Sequence, residues 1–242
     1  MNTTSDSSSD TSSSATVTVG TSSDTSSETS SSGGYRSQGW SLVSAQTVGS
    51  DRNFIHVQAG YPGIFGSFVH GMNDTMDLGG KFGFIYGSEG GGFGGFGGFG
   101  GFGGFGFGGF GPGIRAQAVV RWLLSSTSQM KMGLEIEPGL YTQFYGFGTN
   151  FGIIAPIKFT LAFPITSAFA VHAGADLPLL INITNPFYVS IPILLGGGLE
   201  YFINDSISLT LRLRFGPSIN IAGGGAFVNF GLDTLAGVSF RI

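Results

Sequence analysis

His172 and Asp176 are the pair in this chain best placed by type to do acid–base chemistry, four residues apart in FAVHAGADL. A carboxylate that orients an imidazole can make it a general base. The alternation around them predicts a strand, however, and four residues of strand separate the two groups by about 13 Å. That is too far for a direct hydrogen bond. No nucleophile or second carboxylate converges on them in the sequence, so an enzyme is the third reading of this chain. Cysteine is absent, which removes thiol catalysis, thiolate metal sites and disulfides. His56 and His70 lack the spacing of metal ligands, and neither metal nor cofactor is expected. The repeated Gly-Gly-Phe tract lacks a Lys-Ser/Thr and a following helix, so it is no phosphate-cradling loop.

The remaining chemistry-bearing residues are charges, and they share one property. Lys81, Arg115, Arg121, Glu135, Glu137, Lys158, Asp176, Glu200, Arg212, Arg214, Asp233 and Arg241, with His172, all fall on the polar face of a predicted strand. The clearest strands lie in Phe151–Leu177. There Phe151, Ile153, Ala155, Ile157, Phe159, Leu161, Phe163 and Ile165 alternate against Gly152, Pro156, Lys158, Thr160 and Pro164. After Thr166-Ser167 the alternation resumes, which is the pattern of a β-hairpin. Similar runs predict roughly ten strands between residues 53 and 242, an even number as in single-chain membrane barrels. A lipid-facing charge costs about 2–4 kcal/mol at the bilayer midplane, so their confinement to the opposite face fits a transmembrane β-barrel. The expected fold is therefore all-β, a closed antiparallel up-and-down barrel. Pro138, Pro156 and Pro192 fall inside these strands, and Pro138 predicts a bulge.

Composition supports this. The 242-residue chain is 41% hydrophobic and only 10% charged, without the uninterrupted apolar run of a membrane helix. A net charge of −4 without basic clusters gives no support to nucleic-acid binding. Residues 1–52 are Ser/Thr-rich and read as a disordered tail. Residues 88–113 read as a Gly/Phe-rich low-complexity outer loop within the barrel domain 53–242, displayed outside the cell and dispensable for folding. Met1 is followed by Asn-Thr-Thr-Ser-Asp-Ser, with no basic or apolar leader region, so a signal peptide is expected to have been trimmed or to lie upstream. Alternate connections are short (Asn204–Ser206, Thr166–Ser167, Ser125–Met130) and long (Pro217–Ala226, Pro178–Pro186), the asymmetry between periplasmic turns and outer loops.

The C-terminus resembles the assembly signal of small Gram-negative outer-membrane β-barrel proteins, polar-x-Gly-x-x-apolar-x-apolar. Gly237, Phe240 and Ile242 match it, while Leu235 stands at the polar position and Ile242 where Phe is usual. The resemblance implies location in the outer membrane, a periplasmic N-terminal tail, the lipid bilayer as environment and insertion by the outer-membrane assembly machinery. A barrel of about ten strands is largely filled by side chains, so the inward charges read first as a packing and neutralisation network. Arg121 and Glu135 face each other across the Ser125–Met130 turn, with Glu137 near them. The leading expectation is a structural or surface-adhesive barrel without catalysis. The alternative is a narrow pore for small, anionic solutes, suggested by Lys81, Arg115, Lys158, Arg212 and Arg214.

Overall fold

The computed structural model describes residues 40–43, 45–87, 112–145, 148–185, 187–222 and 225–242. Twelve segments form one antiparallel sheet: β1 (Asn53–Tyr61), β2 (Gly63–Asn73), β3 (Met76–Ile85), β4 (Gly113–Ser126), β5 (Lys131–Ile136), β6 (Gly139–Tyr145), β7 (Gly148–Pro164), β8 (Phe169–Asn182), β9 (Tyr188–Pro192), β10 (Leu194–Asn204), β11 (Ile207–Ala222) and β12 (Gly225–Arg241). β12 pairs back onto β1, with Phe54 opposite Arg241 and Tyr61 opposite Thr234, and this closes the wall. β5 and β6 lie end to end between β4 and β7, and β9 and β10 lie end to end between β8 and β11. The barrel therefore has ten staves.

Following register partners from Val57 through Gly66, Phe82, Ala116, Leu140, Ile153, Ile181, Val189 and Ile221 leads to Ala226. Ala226 lies eight residues beyond Thr234, whose partner Tyr61 is four beyond Val57, so the wall closes with a stagger of twelve. For ten staves this stagger implies a strand tilt of about 40° and a radius of about 10 Å, small enough for side chains to fill the interior. The rim is uneven. β1 to β4 end roughly 15 Å lower along the axis than the tip of the β11–β12 hairpin.

Alternation decides which face points where. Ile55, Val57, Leu78, Phe82, Ile157, Leu199, Leu209, Leu211, Leu213 and Phe230 are exposed outside, whereas Arg115, Arg121, Lys158, Asp176, Glu200, Arg212, Arg214 and Asp233 are buried inside. The interior also holds apolar side chains, notably Phe65 with Ile85 and Leu235, and Tyr141 with Ile154 and Leu180.

The prolines behave differently from expectation. Pro138 interrupts a stave without a bulge: Ile136 stays opposite Ile157 and Gly139 opposite Ile154, one unbroken register. The reason lies in how the missing donors are arranged. Pro156 lacks the N–H that would reach Glu137 O, and the Gln117 side chain donates to that carbonyl instead at 2.9 Å. The Glu137 N–H still donates to Pro156 O at 2.9 Å. Pro178 and Pro192 fall opposite each other between the bracketing pairs Asp176–Leu194 and Leu180–Ser190, so two absent donors meet. With Pro217, whose carbonyl accepts from Ile193 N, these prolines form an oblique seam across five adjoining staves. Register shifts occur instead near the short turns, at Gly71/Asn73, Leu123/Ser125 and Phe202/Asn204.

A second correction concerns the tail. Within 40–52, expected to be part of a disordered segment, Trp40, Ser41, Leu42, Ala45, Thr47 and Val48 are all buried against the barrel. Residues 1–39 and the tract 88–111 lie outside the described residues.

Candidate functional site

The interior is built from alternate residues of every stave, and its centre is a chain of ion pairs. Asp77 (β3) meets Arg121 (β4) at 3.3 Å, and the Arg121 Nε meets Glu135 (β5) at 3.2 Å. Lys158 (β7) bridges Glu135 at 2.6 Å and Glu137 at 2.7 Å, and Glu137 holds Lys81 (β3) at 3.1 Å. Acids and bases alternate along these six residues, so the chain is neutral as a whole. Two further pairs complete it. Arg212 grips Asp233 with Nε and Nη2 at 2.9–3.2 Å, and Arg214 meets Asp176 at 2.7 Å. Such pairing offsets the cost of withdrawing charges from water.

The remaining residues singled out in the sequence are placed as follows. Arg115 is buried with its guanidinium 5.5 Å from the Phe65 ring centre, and Lys81 lies 4.9 Å from the same ring. Glu200 accepts from Ser208 Oγ at 3.0 Å and from Ser41 Oγ. Arg241 is half-buried at the short-turn end, its backbone N–H bonded to Ser206 O. His172 is buried with its ring against Gly198, and among the described residues neither ring nitrogen has a hydrogen-bond partner. Asp176 goes to Arg214 rather than to His172. Gly237 faces inward where a Cβ would lie 2.7 Å from His56 Nε2, Phe240 points outward, and the Ile242 N–H donates to Asn53 O at 3.0 Å.

The sequence reading missed three contributors. Asp77, on β3, is fully buried and anchors one end of the ion chain. Lys131 begins β5 and bonds the Gln46 side chain. Most important is the segment 40–51, which stoppers the end of the barrel bearing the short turns. Its Trp40 ring lies tilted against Phe54 at 4.5 Å and edges onto Phe202 at 5.3 Å, in a cluster with Leu42, Val48 and Val69. Its polar groups are met by the wall: Trp40 Nε1 donates to Asp205 O at 3.0 Å, and Val48 N donates to both Asp77 carboxylate oxygens at 3.1 Å. Arg121 Nη2 donates to Ser41 O at 3.0 Å and Gln46 O at 2.8 Å, tying the segment to the ion chain. Two glycines make room for it. A Cβ on Gly71 would lie 1.8 Å from Gly49 O, and one on Gly133 2.7 Å from Ala45 O.

Between this stopper and the ion chain remains a cavity of about 50 Å³, lined among others by Gln46, His56, Glu135 and Lys158. That is room for roughly four waters. Among the described residues no group of three or more His, Asp or Glu could hold a metal ion. Comparison with models of known protein families and with curated proteins finds no match.

Proposed function

We propose that this chain is a structural protein of a Gram-negative outer membrane: a barrel that spans the bilayer with its strands, short turns toward the periplasm, and does not conduct. The observation that carries this reading is the contrast between the two faces of one wall. Outside, the exposed large side chains are apolar, and among the described residues no Asp, Glu, Lys or Arg of a strand is exposed. Inside, the acids and bases neutralise one another and residues 40–51 cover one end. A lumen arranged to attract a solute would keep charges uncompensated and a path open; among the described residues the six ionised groups of the ion chain join acid to base through shared contacts and one end is covered, which supports the closed reading.

The C-terminal Gly237, Phe240 and Ile242 would serve recognition by the assembly machinery, and the bilayer is the principal partner. The test is reconstitution in planar bilayers, with gel mobility compared before and after boiling. Silence at moderate voltage with a heat-sensitive fast-migrating band supports the reading. Steady ion-selective current would replace it with the pore, and a stable detergent-free monomer would end it. A lipid-facing charge gives a second readout: Leu211→Lys should cost about 2–4 kcal/mol in bilayers.

A further inference from the structure

On its tall side the barrel carries an apolar outer face higher than a membrane barrel commonly needs. Along β11 the outward side chains run from Ile207 through Leu209, Leu211, Leu213 and Phe215 to Ile221. The fourteen residue steps from Ile207 to Ile221, at about 3.3 Å each and a tilt of about 40°, rise about 35 Å along the axis. Phe169 to Ile183 on β8 covers the same number of steps. Transmembrane barrels commonly present an apolar band of about 25 Å. The face keeps its character up to the hairpin tips, where Tyr145 pairs with Gly148 and Ala222 with Gly225. Near those tips Phe144, Phe151, Ile183, Phe187, Ile221 and Val228 are 39–66% exposed. At the same level Gln143, Asn182, Ser190, Ser218 and Asn220 are buried on the inner side. Thr142 and Thr149 are the polar exceptions on the outer side of β6 and β7 there. A wall rising into water would turn polar outside, whereas this one repeats the lipid-facing pattern as far as the rim.

We propose that acyl chains cover this upper rim on six adjoining staves, β6 to β9 with β11 and β12, matching the tall side of the barrel to hydrocarbon about 30–35 Å thick. The proposal rests on the membrane-barrel reading and names the kind of lipid that reading requires. Phe163 and Tyr201, close to the short turns, suit the headgroup level, which takes a few ångströms from the full height of the face. Continuity around the curve selects the occupant. The exposed apolar side chains near the tips are spread over six of the ten staves. A second copy set beside the first about a two-fold axis would cover one sector of such a cylinder and leave the rest of the rim in water. Lipid is fluid and surrounds it. The cost of mismatch grows with each ångström, so a barrel of this height gathers the longer chains of a mixed membrane about its tall side.

Tryptophan quenching tests this on the whole chain in vesicles of monounsaturated phosphatidylcholine, part of it brominated on the acyl chains. Chains of 14 carbons give hydrocarbon about 23 Å thick, and chains of 22 carbons about 34 Å. The reporters are Ile221→Trp and Val228→Trp at the rim and Leu211→Trp at mid-height. Each also carries Trp122→Phe, since the other native tryptophan, Trp40, is buried inside. In the 22-carbon bilayer both rim reporters should be quenched about as strongly as Leu211→Trp, and in the 14-carbon bilayer at most half as strongly. Rim reporters unquenched in the thick bilayer, as they would be in water or beneath a second copy, overturn the proposal. Equal quenching at the two thicknesses overturns it as well. Should the reporters fail to fold, the unaltered chain decides: its fast-migrating band should survive to a temperature at least about 5 °C higher in the 22-carbon lipid. An equal or lower temperature refutes the match. Leu211→Trp unquenched in both bilayers marks the failure of the membrane reading itself, a result distinct from failure at the rim alone, and it removes this inference too.

Discussion

Replacing Trp40 by alanine separates a stopper that is packed in place from one that merely lies in the lumen. The Trp40 side chain is 1% exposed and contacts Phe54 and Phe202. An aromatic of this size buries about 150–250 Å², and truncating it to alanine in a packed site costs about 3–5 kcal/mol. The wall strands keep their ladders without it, so the loss falls on docking of residues 40–51 rather than on the barrel. A change of 3–5 kcal/mol corresponds to a roughly 10²- to 5 × 10³-fold larger undocked fraction, and protease access to a rapidly opening segment follows that fraction. Limited proteolysis in detergent should therefore cut Trp40→Ala between residues 40 and 51 faster by about that factor. The heat-sensitive mobility of the barrel should persist, and Trp40→Phe should lie between the two. Cleavage at the wild-type rate would refute the packing argument. Loss of the barrel band along with the segment would show that the two fold as one unit.

Three other perturbations have defined outcomes. Gly133→Val puts a side chain where Ala45 O lies 2.7 Å from a would-be Cβ, so it should raise proteolysis of 40–51 as Trp40→Ala does, with the outer wall intact by circular dichroism. Lys158→Met removes the cation shared by Glu135 and Glu137 and leaves the ion chain one negative charge in excess, which should lower stability by about 3–5 kcal/mol in urea titration in detergent; adding Glu135→Gln, which restores neutrality with Asp77–Arg121 and Glu137–Lys81 still paired, should recover much of it. Gly237→Val collides with His56 and Thr210, lowering folding yield into detergent, and His56→Ala should partly rescue it.

Closure into ten staves and the inward or outward sense of each strand were legible because a two-residue period leaves few alternatives once one face is wholly apolar. Lys158, Arg212 and Arg214 could be assigned inward from their apolar neighbours Ile157, Leu211 and Leu213 alone. Pair identities were another matter. Arg121 with Glu135 came from a short turn, but Arg214 with Asp176 depends on β10 lying between their strands, which only the stagger of the wall reveals. Residues 40–51 escaped notice for a compositional reason. Their Ser, Gln and Thr side chains look like those of a solvated linker, and their burial is made possible by hydrogen-bond partners on β3, β4, β5 and β10, far away in sequence. Trp40, Leu42 and Val48 were the available signal, three apolar side chains in a segment otherwise short of them.

The seam of Pro138, Pro156, Pro178, Pro192 and Pro217 has a mechanical consequence. Rungs between staves carry load when a tube is sheared or flexed, and along this seam rungs are missing from one stave after another. Above it stand the upper parts of β6 to β9, β11 and β12, and below it the section closed all round by ten staves. A torque applied at the upper rim would be taken up as bending at the seam before it reached the ion pairs beneath. The tall side of the barrel is thus a compliant collar on a stiff base.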